Sequence, residues 1–280
     1  MINFLIWTTE LDNSSGGSIA LHRLADLISS EGEACYVLSN KTTEGSLSKN
    51  LSDYNKDLDS GKITHENTMI LYPEVAFGNP YGFPNVTRWL LNTPGVCGGD
   101  GIYGENDLIY KYYDYFKAPD ESKVRGELRT FQLKLDKFYN KNLDRSGECY
   151  IVKKGKNKVL DKHDKDSLDI GSYINDDYLS DVFNRKKRFI SYDSMCFHLQ
   201  QASLCGCLPI VIPDTGVTKE EFIKKAPVNK YGVAYGFIDV EHARKTQHLL
   251  KGHLEDMEKE SAELVRSYIK DCYDYMNIKK

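Results

Sequence analysis

Between Arg188 and Asp214 the chain reads as strand, polar turn, helix, glycine stop and strand, an order that leaves few folds open. Phe189 and Ile190 close an apolar run, and Asp193 or Ser194 can cap a helix expected over 194–205. Gly206 ends that helix, and Leu208–Ile212 is a short, continuously apolar segment of the kind buried in a parallel sheet. A strand that runs straight into a helix N-terminus aims free N–H groups and the positive end of the dipole outward together. The turn Tyr192-Asp193-Ser194-Met195 is therefore a candidate anion site, although any βαβ unit would share the outline.

The 280 residues allow two domains of about 140 residues each or one large one. A net charge of −4 with no basic patch argues against a nucleic-acid partner. No apolar run approaches the roughly 18–20 residues of a membrane helix, and Met1–Trp7 reads as a first buried strand rather than a signal peptide, so no membrane insertion is expected. Seven cysteines in mostly apolar contexts suit reduced thiols and a soluble, cytoplasmic protein. Of the 19 tyrosines, Tyr110, Tyr112, Tyr113 and Tyr115 crowd one segment, as packing groups or as a platform for sugar rings.

The opening is βαβ: a strand over 2–7, a loop over Asp12–Gly17, a helix over Ser18–Ser30 with Ile19, Leu21, Leu24, Leu27 and Ile28 at helical spacing, a stop at Gly32 and a strand over 34–38. Residues 40–67 are polar without periodicity and read as a solvated excursion; strands follow at 68–72 and 107–112. A second start at Cys149–Val152 leads through helix, strand, helix, strand and helix to a long polar helix over 239–275. The polar segment 140–147 divides the halves, giving an N-terminal domain over 1–145 and a C-terminal domain over 146–280, both α/β.

Three further segments carry chemistry. In Asn13-Ser14-Ser15-Gly16-Gly17 the glycines let backbone pass close to a ligand at a helix start. Lys153, Lys154 and Lys156 follow a strand end, where a lysine can neutralise a leaving diphosphate or simply face solvent. Ile70-Leu71-Tyr72-Pro73-Glu74 ends a strand on a carboxylate at the edge where α/β proteins bind ligands.

With Ala202-Ser203-Leu204-Cys205-Gly206, which matches an A-x-x-C-G step, the order around 188–214 resembles the donor-binding signature of GT-B glycosyltransferases. The run Pro73-Glu74, Gly78-Asn79-Pro80 and Arg88-Trp89-Leu90-Leu91-Asn92-Thr93-Pro94-Gly95 looks like a pattern of small viral or bacterial glycan-building transferases, among them chlorovirus-type pentose (xylose) transferases. The resemblance implies two Rossmann-like domains facing a cleft, a nucleotide diphosphate sugar donor, UDP-linked, and a glycan acceptor, with no separate cofactor. It assigns Gly16, Gly17, Lys153 or Lys154, Tyr192, Asp193, Ser194, Met195 and Gln201 to the donor, and Asn79, Arg88 and Trp89 to the acceptor. Gln201 stands where the family often carries a glutamate for the donor ribose, so that contact loses its charge.

Inverting transfer needs a base in the first half. Glu74, rigid and partly desolvated, is the first candidate and Asp12, beside the Gly-Gly loop, the second; His22 reads as packed or solvated, His65 as solvated and Asp100 as a turn residue. Asp57-Leu58-Asp59 and Asp164-Lys165-Asp166 resemble the metal-holding pairs of GT-A enzymes, but both lie in hydrophilic loops and no metal is expected. A metal-dependent GT-A transferase and a non-catalytic nucleotide-sugar-binding module are the alternatives.

Overall fold

The computed structural model describes residues 2–13, 15–42, 45–132, 134–158, 163–171 and 175–279. The chain forms two compact units, one of Met1–Gln132 with Glu258–Lys280 and one of Leu133–Met257.

Unit 1 runs β1 (Asn3–Ile6), α1 (Gly16–Ser30), β2 (Ala34–Val37), α2 (Leu51–Asp59), β3 (Thr68–Pro73), β4 (Asn85–Leu90), β5 (Leu108–Lys111) and β6 (Val124–Glu127). The six strands are parallel in the order β2-β1-β3-β4-β5-β6. Both faces of the central strands are covered, so β1 and β3 read as largely apolar runs rather than alternating ones. On one face Phe4, Ile6, Leu71 and Trp89 pack with Leu24 and Ile28 of α1; on the other, Leu5, Ile70 and Tyr72 pack with Tyr54. That tyrosine belongs to α2, which corrects the reading of 40–67 as a solvated excursion. The helix has a narrow stripe, Leu51, Tyr54 and Leu58, and an Asn50–Asp53 capping box, signals too sparse to stand out in a polar run.

Unit 2 runs β7 (Glu148–Ile151), β8 (Leu168–Asp169), α3 (Asp176–Arg185), β9 (Arg188–Ser191), α4 (His198–Leu204), β10 (Leu208–Val211), α5 (Lys219–Lys225), β11 (Ala234–Tyr235), α6 (Val240–Thr246) and the start of α7 (Leu250–Tyr275). Its sheet is parallel in the order β11-β10-β9-β7-β8. The expected helix over 239–275 is broken at 247–249, where side chains on both sides are tied into the unit. Gly232 N–H donates to Thr246 Oγ1 at 3.0 Å, and Gln247 Nε2 donates to Ser203 O at 2.9 Å.

The units divide near residue 132 instead of 145. Residues 134–145 are zipped onto α3: Lys134 pairs with Asp176, Ser180 Oγ donates to Lys137 O, Asn184 Nδ2 donates to Tyr139 O, and Phe138 is buried in the core of unit 2. The later turns of α7 belong to unit 1, where Val265, Tyr268, Ile269 and Cys272 join the α1 face of the sheet.

Candidate functional site

In unit 2 the strand ends Ile151, Ser191 and Val211 share one edge, and the segments that leave them are tied together. Lys153–Lys158 is a pair of short 3-10 turns joined by a kink at Gly155, with Lys153 in the left-handed region at φ 39°. The kink lies directly against the segment after β9, because a Cβ on Gly155 would sit 2.1 Å from Tyr192 O. Lys153 Nζ lies 5.2 Å over the Phe197 ring, whereas Lys154 points to solvent. Lys158 Nζ reaches Ile212 O at 3.0 Å and Asp214 Oδ1 at 2.9 Å. Burial works against the Asp214 charge, but hydrogen bonds from Lys158 and Ser194 outweigh it and hold the carboxyl below its usual value. Lys158, Asp214 and Ser194 thus lock three segments at one edge. Neither Lys158 nor Asp214 was singled out from the sequence, although one ends the lysine run and the other closes the apolar strand.

The segment after β9 departs from expectation. Helix α4 begins at His198, not at 194, and no side chain caps it. Asp193 spends its carboxylate locally: Met195 N–H donates to its Oδ1 at 3.0 Å, which holds 193–196 as a turn. Met195 is exposed at the tip. The Tyr192 side chain is fully buried and leaves only its backbone for a ligand; its hydroxyl donates to His163 Nε2 at 2.8 Å, while His163 Nδ1 donates to Glu148 Oε1 at 3.1 Å. Gln201 Oε1 accepts from His198 Nδ1 at 2.7 Å. The acceptor atom expected to meet a ribose is therefore already engaged. Burial drives the His198 pKa down to about 4, so the ring is neutral at physiological pH.

In unit 1, α1 starts two residues earlier than the spacing suggests, so Gly16 and Gly17 form its first turn behind Ser15, whose side chain caps Ser18 N–H at 3.3 Å. Ser14 lies outside the described residues. Asp12 is exposed, with its N–H donating to Ser18 Oγ at 2.9 Å. Glu74 follows β3 and is 3% exposed. Burial raises its carboxyl above the ordinary value, against the N–H groups of Leu91 and Asn92 that pull it down; Leu91 N–H lies 3.0 Å from Oε2. Gly99, at φ +77°, packs against the Glu74 backbone, where a Cβ would fall 1.9 Å from Glu74 O.

The three residues assigned to the acceptor all have partners within the fold. Trp89 is fully buried and donates to Leu128 O at 2.8 Å. Arg88 is buried between the Tyr72 and Tyr103 rings, with Nε 2.6 Å from Asp107 Oδ2. Asn79 is consumed by its own loop: Oδ1 accepts from Tyr72 Oη at 3.1 Å and Nδ2 donates to Phe83 O at 2.7 Å. The buried strand β4 explains Arg88 and Trp89, for an R-W-L-L run inside a sheet is packed whatever motif it resembles. After β5, by contrast, half-buried Tyr113 and Tyr115 stack at 5.7 Å beside Phe116. His22 is packed, with Nε2 donating to Thr9 O at 2.9 Å, and Asp100 makes its own turn by accepting from Ile102 N–H at 2.9 Å. Asp57 is no solvated charge: Tyr36 Oη and the Lys49 and Lys62 amines all meet its Oδ2, holding α2 to the sheet.

Among the described residues no helix is long and apolar enough to cross a membrane. No protein-family model matches the chain, and no curated protein matches it. Among solved structures, a glycosyltransferase from Rickettsia africae ESF-5 superposes over 98% of this chain and 98% of its own, with a TM-score of 0.50 at 9% identity. The glycotransferase of kitacinnamycin aligns over 98% of this chain and 95% of its own, with a TM-score of 0.40 at 8% identity. MurG of Acinetobacter baumannii aligns over 94% and 93%, with a TM-score of 0.36 at 8% identity. Identities this low speak only to the fold. The two parallel-sheet units and the full-length likeness to the first of these structures make this a GT-B fold of two Rossmann-like α/β domains.

Proposed function

We propose that the chain is an inverting glycosyltransferase that moves a sugar from a nucleotide diphosphate sugar to a hydroxyl of a glycan acceptor. UDP is the proposed nucleotide and UDP-xylose the first donor to test. The observation that carries this reading is the carboxyl edge of unit 2, where Lys153 and Lys158 flank the kink at Gly155 that packs against Tyr192, just before the 193–196 turn. A diphosphate there meets fixed cations and turn N–H groups together. The acceptor oxygen attacks the anomeric carbon, and the bond to the diphosphate breaks with its electron pair leaving on the phosphate oxygen. The acceptor proton passes to a carboxylate of unit 1. Glu74 is the proposed base because burial raises its pKa, which makes its carboxylate a stronger base than an ordinary one. The lysines supply the charge a metal otherwise brings, so transfer should survive EDTA.

Thermal-shift measurements across UDP, GDP and CMP sugars test the donor. Lys153→Ala and Lys158→Ala should each weaken UDP binding by about tenfold, and Lys154→Ala should leave it unchanged. If neither of the first two alters UDP affinity, the edge is ordinary surface. Glu74→Gln should cut transfer by at least about 10²-fold with UDP affinity intact. Near-normal transfer by Glu74→Gln beside an inactive Asp12→Asn hands the role to Asp12.

One observation favours a binding module without catalysis: Glu74 is almost fully enclosed and bonded to Leu91. Hydrolysis of a UDP-sugar in the absence of acceptor, followed by NMR, excludes that reading.

A further inference from the structure

Unit 2 has a second concave feature at the other edge of its sheet, where β7, β9 and β10 begin. The cavity holds about 490 Å³, and its wall carries Arg145, Lys187, Arg188 and Arg244 with one carboxylate, Asp164, and the Gln247 amide. Four cations around one hollow stand out on a chain whose net charge is −4.

Their pairing leaves charge to spare. Arg145 is fixed by neutral acceptors alone: Nη1 donates to Phe183 O at 2.6 Å, and Nη2 donates to Asn140 Oδ1 at 2.8 Å and to Cys205 O. Phe183 and Cys205 lie at the C-terminal ends of α3 and α4, whose dipoles temper this charge without cancelling it. Arg188 shares two carboxylates, Glu148 Oε2 at 3.2 Å and Asp164 Oδ2 at 3.4 Å. Lys187 and Arg244 are exposed, and among the described residues their side chains form no ion pair or hydrogen bond. Two carboxylates therefore answer four cations.

We propose that this cavity binds a small phosphorylated compound at a site separate from the donor edge. Guanidinium forks match phosphate oxygens in pairs, and the volume falls in the range of about 300–1,000 Å³ typical of small-molecule sites. The strands between the two edges are four residues long, so roughly 10 Å of sheet separates them. The site is independent of what the donor edge binds.

Inorganic pyrophosphate is the probe, titrated into the whole protein at low salt and followed by backbone amide NMR and calorimetry. The amides of Gly147 and Gly206, which line the cavity, should shift in wild type and in Lys158→Ala. In Lys187→Gln/Arg244→Gln those shifts should disappear and the affinity read at them should fall at least about tenfold. Both substituted side chains are exposed, so the fold should survive, and the dispersion of the spectrum checks it. If the two glycine amides stay still in wild type, or move equally in the double variant, the site does not exist. Shifts confined to residues 193–196 overturn it as well, because pyrophosphate then uses the donor edge alone.

Discussion

His198 and Glu74 are both taken out of water, and burial favours the neutral form of each. For histidine that means a pKa pushed down to about 4, below the unfolded value of about 6.5. The unfolded chain then binds the proton first as pH falls, so stability is fully present above about 6.5 and is lost as pH falls toward 4. Between pH 7 and pH 5 this single group should remove about 2 kcal/mol. Urea midpoints at the two pH values should draw closer together in His198→Gln; an unchanged gap means the ring titrates as if exposed. For Glu74 burial raises the pKa, so a base there loses its charge at a higher pH than an ordinary carboxylate. The acid limb of kcat should lie above the usual range of about 4.3 for glutamate, and Glu74→Gln should remove that limb from whatever activity remains. Glu74 was legible as a carboxylate ending a buried strand. Its bonds to the Leu91 and Asn92 amides were not, because they join chain positions brought together only when β3 and β4 pair.

At the scale of elements, what the sequence made legible was the periodic part. β1, β2, β3, β7, β9 and β10 announce themselves as short apolar runs, and Gly206 ends α4 as its place after the helix implies. Starts were harder to place. Asp193 and Ser194 looked like caps, but a side chain that can cap a helix can equally close a turn on its own backbone, and Asp193 does the latter. β6 and β11, one polar and one only two residues long, offer no apolar run to find. The contact between the Lys153–Lys158 turn and Tyr192 was equally hidden, and it yields a test. Gly155 has φ −94°, which alanine tolerates, so Gly155→Ala meets only the steric problem of a Cβ 2.1 Å from a backbone oxygen. Forcing the turn away should cost about 1–3 kcal/mol and weaken UDP binding along with it. Gly16→Ala is the matched control: it lies in the first turn of α1 with nothing within 4 Å of the new methyl, so it should be neutral or stabilise by up to about 1 kcal/mol. Equal behaviour of the two variants would remove the steric argument.

For the molecule as a whole, two βα halves could be read from the order of elements, but their chain boundaries could not. A helical stripe says that α7 must bury a face and is silent on which sheet receives it. The structure divides the helix: Leu254 is buried before the boundary at 257, while Val265, Tyr268, Ile269, Cys272 and Tyr273 are buried in the core of unit 1. Polar ties hold the same stretch, for Tyr110 Oη donates to Asp271 Oδ2 at 2.7 Å and Tyr273 Oη donates to Glu33 Oε2 at 2.8 Å. Unit 1 is thus assembled from both ends of the chain. Truncating one large buried side chain costs about 2–5 kcal/mol, and a domain has only about 5–15 kcal/mol in hand. A chain ending at Met257 loses all five of those residues at once, so its unit 1 should not fold. Limited proteolysis should then degrade residues 2–132 while leaving a protected fragment from unit 2. The milder Tyr268→Ala should lower the unfolding midpoint of unit 1 without touching the amide spectrum of residues 188–211. A truncated chain whose first 132 residues resist protease as well as the full chain would show that unit 1 is complete without α7.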